Sequence, residues 1–444
     1  MKLRWLIASL LVTLLALSAC AAPAPPAAEA PAASQEEAAP AEEAAPAEEA
    51  KSEEAMEPVV LEFYHWFGAD LGETTIKEIN DRFHEENPNV TVEFETADTG
   101  TYEQVINTRL AADDAPDIFG VFPGTKFHPK AKAGFLMDLS DQPWVDDLLD
   151  GAKVVALYQG KVMTMPIDQN VIGVIYNKQI FADLGLEVPT TWDEFLQVSE
   201  AIKEAGIAPM ALGLKSAWVT QLIPYAMAPS AIYRDMPDFD AKMYAGEASF
   251  VDSPWAQMMA DYLDLRDRGY FNDSPLGTDY NLSTDLMASG DAAMLVQGNW
   301  ALASLRDKAP DIEWGMFPLP YVQPGQDIWV SAAVGGTITI SASTEHPEEA
   351  KAYLAFWARP DIMELYLTQK RAFPAFKNLN PELDPAAAEM LPPLEVGSYP
   401  FLDQNWPPGV QGVMLEGIQS VFAGEISVEE MLQEMDAAWA ENAE

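Results

Sequence analysis

A strand, a helix and a second strand follow one another early in the chain, and this order constrains the fold more than any other feature of the sequence. VVLEFYHWF (residues 59–67) is apolar on both faces, as a central parallel strand would be. TTIKEINDRFHEE (residues 74–86) has apolar side chains at helical spacing, and Asn87-Pro88 ends the helix. VTVEFETA (residues 90–97) is the second strand. A βαβ unit predicts a parallel sheet that binds its ligand at the carboxyl ends of its strands.

Helical and strand-like patterns continue to alternate along the chain. Thr191-Trp192-Asp193-Glu194 has the spacing of a capping box and predicts a helix that ends near Gly206. A further helix is predicted to begin around Pro347, with acidic residues in its first turn, and to stop before Pro360. The alternation predicts an α/β fold, and the length of the chain after residue 58 favours two lobes.

The first 20 residues have the layout of an export signal. Lys2 and Arg4 precede an apolar run over residues 5–17, which is too short to cross a bilayer comfortably. Leu17-Ser18-Ala19-Cys20 resembles the bacterial lipobox, in which the cysteine receives a lipid and becomes the new N-terminus. We therefore expect Cys20 to be a lipid anchor at the outer face of the cytoplasmic membrane, the alternative being an incidental cysteine beside an ordinary cleavage site. Cys20 is the one cysteine in the chain, which excludes an internal disulfide.

Residues 21–58 consist mainly of Ala, Pro and Glu, without an aromatic residue, and are predicted to form a disordered tether.

The whole chain carries a formal net charge of −45; without the ten Glu and one Lys of the tether and the two basic residues of the leader, −38 remains. This acidity argues against nucleic acid and anionic lipid surfaces as partners, because both would be repelled. We expect a monomer.

Several segments after the tether together resemble a known family. In chain order they are HEENPNVTVEFE, APDIFG, GFLMDLSD, GKVMTMPID, IGVIYNKQIFADLGLEVPTTWDEF, SGDAAMLVQGNWAL and GGTITISASTEHPEEAKAYLAFWARPDI. They are similar in order and spacing to the maltose-binding-protein-like family (extracellular solute-binding protein family 1), the sugar-binding lipoproteins of bacterial ABC importers. The resemblance extends from about Val59 to about Pro374 and is looser beyond.

The resemblance implies a two-lobed periplasmic-binding-protein-like fold of type II, with a ligand cleft between the lobes. Lobe one would comprise residues 59–168 and 335–385, and lobe two residues 172–330 and 386–444. Crossover strands near 168–176 and 331–339 would join them. Closure of the lobes on a mono- or oligosaccharide would create a shape that the permease subunits of an ABC transporter recognise.

Sugar binding combines aromatic rings, which stack on the C–H face of a pyranose, with polar groups that bond its hydroxyls. The resemblance implies that Trp300 stacks on sugar and that Asn299 beside it bonds hydroxyls. Trp406 resembles a C-terminal stacking aromatic, and Trp218 lies where relatives carry an aromatic in the second lobe. For both of these tryptophans, packing in the core is an equal alternative.

The remaining candidates lie at strand ends and crossovers. His65 and Trp66 follow the first strand, and weaker candidates are Tyr102 and Phe122. Asp168, Gln169 and Asn170 precede a crossover strand, and at least one of them is expected to bond ligand, the others being surface residues. Gly335 and Gly336 begin the second crossover. A residue without a side chain either lets the backbone approach the ligand closely or lets the chain bend as a hinge, and both interpretations stay open. Arg371, in RAFPAF, departs from the glycine-containing turn of the relatives, which leaves its contact with ligand open.

Two other classes of function stay open. A glycoside hydrolase also needs a sugar cleft and two carboxylates, but nucleophile, phosphate-loop and redox motifs are absent from the sequence. The four histidines have no metal-ligand spacing, so we expect neither catalytic residues nor a metal or other cofactor. An importer receptor for a polyamine or a glycerol phosphate is the other alternative. The density of aromatic residues favours carbohydrate.

Overall fold

A computed structural model describes residues 57–67 and 73–443. The predicted leader, Cys20 and the tether up to residue 56 lie outside the described residues. Within the part that is described, no helix is both long and apolar enough to cross a membrane.

Strands and helices alternate as the sequence predicts. The β-strands of the described residues are β1 (Val59–His65), β2 (Val90–Thr96), β3 (Ile118–Gly120), β4 (Leu157–Tyr158), β5 (Lys161–Val162), β6 (Met165–Pro166), β7 (Gln169–Asn177), β8 (Ala208–Met210), β9 (Ala292–Gly298), β10 (Trp314–Phe317), β11 (Val330–Val334), β12 (Thr337–Ile340) and β13 (Ser398–Tyr399).

The α-helices are α1 (Glu73–Glu86), α2 (Thr99–Ala111), α3 (His128–Lys132), α4 (Asp150–Val154), α5 (Lys178–Leu184), α6 (Trp192–Glu204), α7 (Leu222–Ala228), α8 (Phe239–Tyr244), α9 (Trp255–Asp267), α10 (Tyr280–Ser289), α11 (Ala301–Lys308), α12 (Pro347–Trp357), α13 (Pro360–Lys370), α14 (Pro385–Ala388), α15 (Leu391–Val396), α16 (Val410–Ala423) and α17 (Val428–Asn442). Short 3₁₀ turns include Gly124–Phe127, Ala217–Gln221 and Leu402–Gln404, and Pro229–Tyr233 forms one π-helical turn.

The first sheet contains the predicted βαβ unit. Its strand order is β2-β1-β3-β12-β6, and β1 pairs in parallel with both β2 and β3. The hydrophobic core beneath it includes Phe63 from β1 and Ile79 from α1, together with Tyr353 and Trp357 from α12. Helices α1 and α12 each bury one face, and both pack against the same sheet.

The second sheet has the order β13-β11-β7-β9-β8, with β10 also paired to β7. Its central strand, β7, is buried over most of its length. Helix α6 packs against the edge strand β8 and adds Phe195, Val198 and Ile202 to the same core. Helix α6 begins as predicted, because the Thr191 hydroxyl accepts a hydrogen bond from Glu194 N at 3.3 Å. The Glu194 carboxylate, however, reaches Thr190 rather than Thr191, so the cap lacks the reciprocal bond of a capping box.

Two short connections join the sheets side by side. The chain leaves β6 of the first sheet and, after Ile167 and Asp168, enters β7 of the second; it returns from β11 to β12 through Gly335 and Gly336. The two connections are hydrogen-bonded, with Ile167 N donating to Gly336 O at 3.1 Å. A third segment passes alongside, because Phe373 and Gln169 exchange backbone hydrogen bonds of 2.7 and 2.9 Å. The fold is thus a two-lobed α/β structure whose lobes are joined by crossover strands.

Candidate ligand-binding cleft

A cavity of about 290 Å³ lies between the two sheets, next to their connections. Both lobes contribute to its walls. Its aromatic lining residues are Trp66, Phe67, Phe122, Trp218, Tyr225, Trp300, Tyr366 and Phe401. A concave site with aromatic walls and a few polar groups is the usual form of a small-molecule site.

Two aromatic rings form the wall contributed by the first lobe. Trp66 follows β1, Phe122 follows β3, and their rings stack with centroids 4.4 Å apart and planes inclined by 24°. Since β1 and β3 are parallel neighbours, their carboxyl ends deliver both rings to the same edge of the sheet. Gly120 makes room for this arrangement, because a Cβ there would lie 2.5 Å from an atom of the Trp66 ring.

Three aromatic rings form the opposite wall. The centroid of Trp300, at the start of α11, lies 6.4 Å from that of Trp218 and 6.3 Å from that of Phe401. The Trp300 ring folds back over the end of β9, since a Cβ on Gly298 would lie 2.0 Å from it. All three rings are half-buried, so part of each faces the cleft.

Asp168 forms the polar floor of the cleft at the crossovers. One carboxylate oxygen accepts hydrogen bonds from Gly335 N and Gly336 N at 3.1 and 3.0 Å and from Asn170 Nδ2 at 2.9 Å. Burial raises the pKa of Asp168, although the charge of Lys370 and the hydrogen bonds from Tyr366 and the two glycines act in the opposite direction. The carboxylate therefore holds the two connections together as well as lining the cleft.

Asn299 links this floor to the wall of the second lobe. Its Nδ2 donates to Asn170 Oδ1 at 3.0 Å and to Arg371 O at 2.7 Å, and its Oδ1 accepts from Val171 N at 2.7 Å. All of its polar atoms are thus engaged within the protein. The side chain precedes Trp300 and fixes the start of α11 against β7.

A second polar group lies where Lys126 of the first lobe meets the C-terminal part of the second. Lys126 Nζ donates to Gln411 Oε1, lies 3.9 Å from Asp403 Oδ2 and is 4.9 Å from the centroid of the Phe122 ring. Asp403 also accepts a 2.9 Å hydrogen bond from the Tyr225 hydroxyl. These four polar side chains line the cleft.

The structure brings eight of the predicted ligand-binding residues to the cleft surface. They are Trp66, Phe122, Asp168, Asn170, Trp218, Trp300, Gly335 and Gly336. The sequence left open whether the two glycines serve ligand approach or a hinge. Packing explains the glycine at one of these positions, because a Cβ on Gly335 would lie 1.9 Å from Asn170 Nδ2. Gly335 is thus required for the close approach of the two connections themselves.

Four other predicted residues do not line the cavity. Asn299 is buried behind Asn170, as described above. His65 is fully buried beneath Trp66, and Tyr102 donates a 2.7 Å hydrogen bond to Gly120 O behind the same ring. Trp406 packs in the core of the second lobe, with ring centroids 5.4 Å from Phe250 and 5.6 Å from Trp255.

His65 has a neutral, structural environment. Its Nδ1 accepts a hydrogen bond from Trp66 N at 2.9 Å, which leaves the proton on Nε2, 3.3 Å from Thr337 O. Burial lowers the pKa of His65 well below its ordinary value. The neutral imidazole therefore supports the Trp66 ring from below, with ring centroids 3.9 Å apart.

Comparison with known proteins identifies the family of this chain. Residues 68–364 match the family model described as bacterial extracellular solute-binding protein. The chain belongs to this family. Its members are solute-binding components, and the family match covers both connections between the lobes.

Two characterised relatives of this solute-binding protein are named for sugars. A multiple sugar-binding protein of Streptococcus mutans is 29% identical over 300 residues, which are 66% of this chain and 70% of the relative. A melibiose/raffinose/stachyose-binding protein of Bacillus subtilis is 26% identical over 319 residues, which are 70% of this chain and 72% of the relative.

Solved structures share the fold. A chitin oligosaccharide binding protein superposes with a TM-score of 0.78 at 23% identity, covering 87% of this chain and 99% of its own. The protein RafE in complex with raffinose superposes with a TM-score of 0.72 at 24% identity, covering 87% of this chain and 100% of its own.

Sequence reasoning missed the cleft residues Lys126, Phe401, Asp403 and Gln411. Two weak signals precede them in the sequence. Pro123-Gly124 is a turn signal two residues before Lys126, and Asp403 lies within the same DQNWPPG segment from which Trp406 was chosen. Neither signal reveals that the two segments meet, because they are separated by almost 280 residues.

Proposed function

We propose that this solute-binding protein captures a carbohydrate and delivers it to the permease of an ABC importer. One observation carries the proposal: aromatic rings from both lobes face the same cleft, with polar side chains at its margins. This is the combination that a pyranose requires, since its C–H face packs on rings and its hydroxyls need hydrogen-bonding partners. Two relatives that are named for sugars support the same class of ligand.

The charges of the cleft favour a neutral ligand over the polyamine and glycerol phosphate alternatives. Glu103 accepts a 2.7 Å hydrogen bond from Lys130, and Lys126 lies beside Asp403. Asp168 accepts hydrogen bonds from four groups of the protein. Because the charged side chains are already paired within the protein, a charged ligand would have to displace these partners at a cost.

We propose binding without bond cleavage. A glycoside hydrolase needs one carboxyl group that can protonate the leaving oxygen and a second carboxylate across the bond. In this cleft Asp168 and Asp403 are held by donors from the protein, which suits a fixed binding surface. Membership of a solute-binding family supports the same conclusion.

Closure of the lobes would signal the bound state to the permease. We propose that lobe one comprises residues 59–168 and 335–385 and lobe two residues 172–330 and 386–444, and that the protein acts as a monomer. Division of the buried side chains between two main cores supports two lobes, although Phe373 and Leu383 of the 335–385 segment pack with the core of the second. The short connections would bend as a hinge.

We further propose that the protein is exported and anchored through a lipid on Cys20, with residues 21–58 as the tether. The lipobox-like LSAC segment supports the anchor. Fractionation of cells that express the Cys20→Ser variant tests it. Loss of the protein from the membrane fraction is expected, and retention of the variant there would contradict the anchor.

A thermal-shift screen of the full chain tests the proposed function. The panel contains mono-, di-, tri- and tetrasaccharides, spermidine and glycerol 3-phosphate. A ligand at 100 times its Kd stabilises the folded state by about 2.7 kcal/mol, so a selective rise in Tm with a sugar is expected. A rise in Tm with spermidine or glycerol 3-phosphate, and with no sugar, would show that the ligand belongs to that class and is not a carbohydrate. Release of new reducing ends from an oligosaccharide at an enzymatic rate would overturn the binding function.

A further inference from the structure

The lobes meet at a second place besides the connections. Thr125 Oγ1 of lobe one donates to Trp406 O of lobe two, and Lys126 Nζ donates to Gln411 Oε1 beside Asp403. We call the contact of Gly124, Thr125 and Lys126 with residues 403–411 the side junction. It joins residues that lie far from the crossovers in sequence.

The side junction is tightly packed. Gly124 has φ of +75°, and a Cβ at this position would lie 2.3 Å from Gln404 O. The two backbones therefore approach so closely that no sugar ring fits between them. Only glycine permits both the left-handed conformation and the contact.

Side chains of the junction also form a wall of the cleft. Lys126, Asp403 and Gln411 line the cavity, and lobe two holds the last two in place. Tyr225 donates to Asp403 at 2.9 Å, and Gln411 Nε2 donates to Gln221 Oε1 at 2.6 Å. A ligand is thus bounded by Asp168 and Gly335 at the crossovers and by the Lys126–Gln411 contact at the junction.

The cavity, which the junction bounds on one side and which is partly open elsewhere, is small for a sugar site. Its volume of about 290 Å³ is at the lower end of the roughly 300–1,000 Å³ of typical ligand pockets. We infer that the side junction limits the length of the bound saccharide to one or two rings, with Lys126 and Gln411 as specificity-determining residues. This inference rests on the proposed function and deepens it.

The physical reason is a competition between the ligand and the junction. A saccharide whose third ring extends toward the junction needs the space that Lys126 and Gln411 occupy, so it binds in that direction only if their hydrogen bond and the neighbouring ion pair open. A short saccharide leaves the junction intact, and the Lys126 ammonium and the Gln411 amide then offer donors to its terminal hydroxyls. When the lobes close around a short ligand, the contacts of Lys126 with Gln411 and Asp403 are kept. When they close around a longer one, these contacts are lost.

Isothermal titration of the full chain with two series of sugars tests the inference. The probes are glucose, maltose, maltotriose and maltotetraose, and galactose, melibiose, raffinose and stachyose. We expect the best mono- or disaccharide to bind at least about tenfold tighter than the tri- and tetrasaccharide of its series. Gln411→Ala removes part of the wall and should reduce that ratio at least about fivefold by tightening the binding of the longer sugars.

Glu416→Ala is the matched control, because Glu416 is an exposed residue of the same helix. The control should leave the ratio unchanged. Lys126→Ala is a second variant, and we expect it to reduce the affinity ratio as Gln411→Ala does.

Wild-type protein that binds a tetrasaccharide as tightly as a disaccharide would overturn the length limit and leave the proposed function standing. An unchanged ratio in both folded variants would overturn the role of these residues. Failure of every sugar to bind wild type or variants would overturn the proposed function together with the inference.

Discussion

Tyr366 donates a 2.6 Å hydrogen bond to Oδ2 of Asp168, whose other carboxylate oxygen accepts the backbone N–H groups of Gly335 and Gly336. Asp168 belongs to one connection between the lobes, the glycines belong to the other, and Tyr366 belongs to α13 of the first lobe. One buried carboxylate therefore aligns both connections with a helix. The geometry of any hinge motion depends on this group.

The two neighbouring glycines should respond differently to alanine. A Cβ on Gly335 would lie 1.9 Å from Asn170 Nδ2 and 2.6 Å from Asp168 Oδ1, so Gly335→Ala should lower the free energy of unfolding. A decrease of about 1–3 kcal/mol is typical of overpacking. Gly336→Ala is the matched control, because its Cβ would meet its nearest neighbour, on Ile167, at 3.4 Å. Its effect should be less than about 1 kcal/mol.

Urea denaturation of both variants measures the difference. Neither glycine has a positive φ in the left-handed region, so backbone strain does not confound the comparison. Equal free energies of unfolding for the two variants would contradict the tight packing of Asp168 and Asn170 against Gly335.

The charge of Asp168 should make stability fall as the pH rises. Its pKa is raised in the folded protein by burial, above about 3.9 in an unfolded chain. The folded state therefore binds more protons between these two values, and the free energy of unfolding decreases through that window. Asp168→Asn cannot titrate, so its deficit relative to wild type should shrink as the pH rises from about 4. Denaturation at a series of pH values measures it, and a deficit that grows with pH would contradict the raised pKa.

The sequence predicted the elements that depend on local patterns. Runs of apolar residues and their spacing indicated β1, α1 and β2, and the cap at Thr191 indicated α6; the structure confirms all four. The hydrogen-bonding partners of polar side chains had no comparable signal in the sequence. Glu194, at the predicted capping-box position, for example, accepts hydrogen bonds from Thr190 rather than Thr191, which the spacing of the residues did not indicate.

The cleft was harder to predict than the fold. Trp300 and Trp406 are both tryptophans that follow an asparagine near a turn, yet one faces the cavity and the other the core. This difference depends on packing against α9 and α17, and the sequence near either residue does not encode it. Lys126 and Gln411 were missed because the contact between them joins segments that are 285 residues apart in the sequence.

Alanine at the two tryptophans should therefore have separate effects. Trp406 is 1% exposed and packs on Phe250, Trp255 and Trp439, so Trp406→Ala should lower the free energy of unfolding by about 3–5 kcal/mol. Trp300 is half-buried in the cleft wall, and Trp300→Ala should weaken sugar binding with a smaller loss of stability. Denaturation and calorimetric titration of both variants measure the two quantities. Unchanged sugar affinity in Trp300→Ala would remove this ring from the site.

The ion pair between the partly exposed Arg306 and the buried Asp384 should give the opposite pH dependence to Asp168. Burial alone would raise the pKa of Asp384, but two 3.0 Å hydrogen bonds from Arg306 and one from Ala386 N lower it overall. A lowered pKa contributes stability above the ordinary value of about 3.9, and this contribution is lost as the pH falls through the folded pKa.

Asp384→Asn should accordingly lower the free energy of unfolding by up to about 3 kcal/mol at pH 7, because the partly buried guanidinium loses its counter-charge. The deficit should diminish as the pH falls below about 4, where wild type also loses the charge. Asp311→Asn, at an exposed position, is the control and should change stability by less than about 0.5 kcal/mol. Urea denaturation between pH 3 and pH 7 follows both variants. A deficit of Asp384→Asn that stays constant over this range would show that the carboxylate stabilises the fold through shape and hydrogen bonding rather than through its charge.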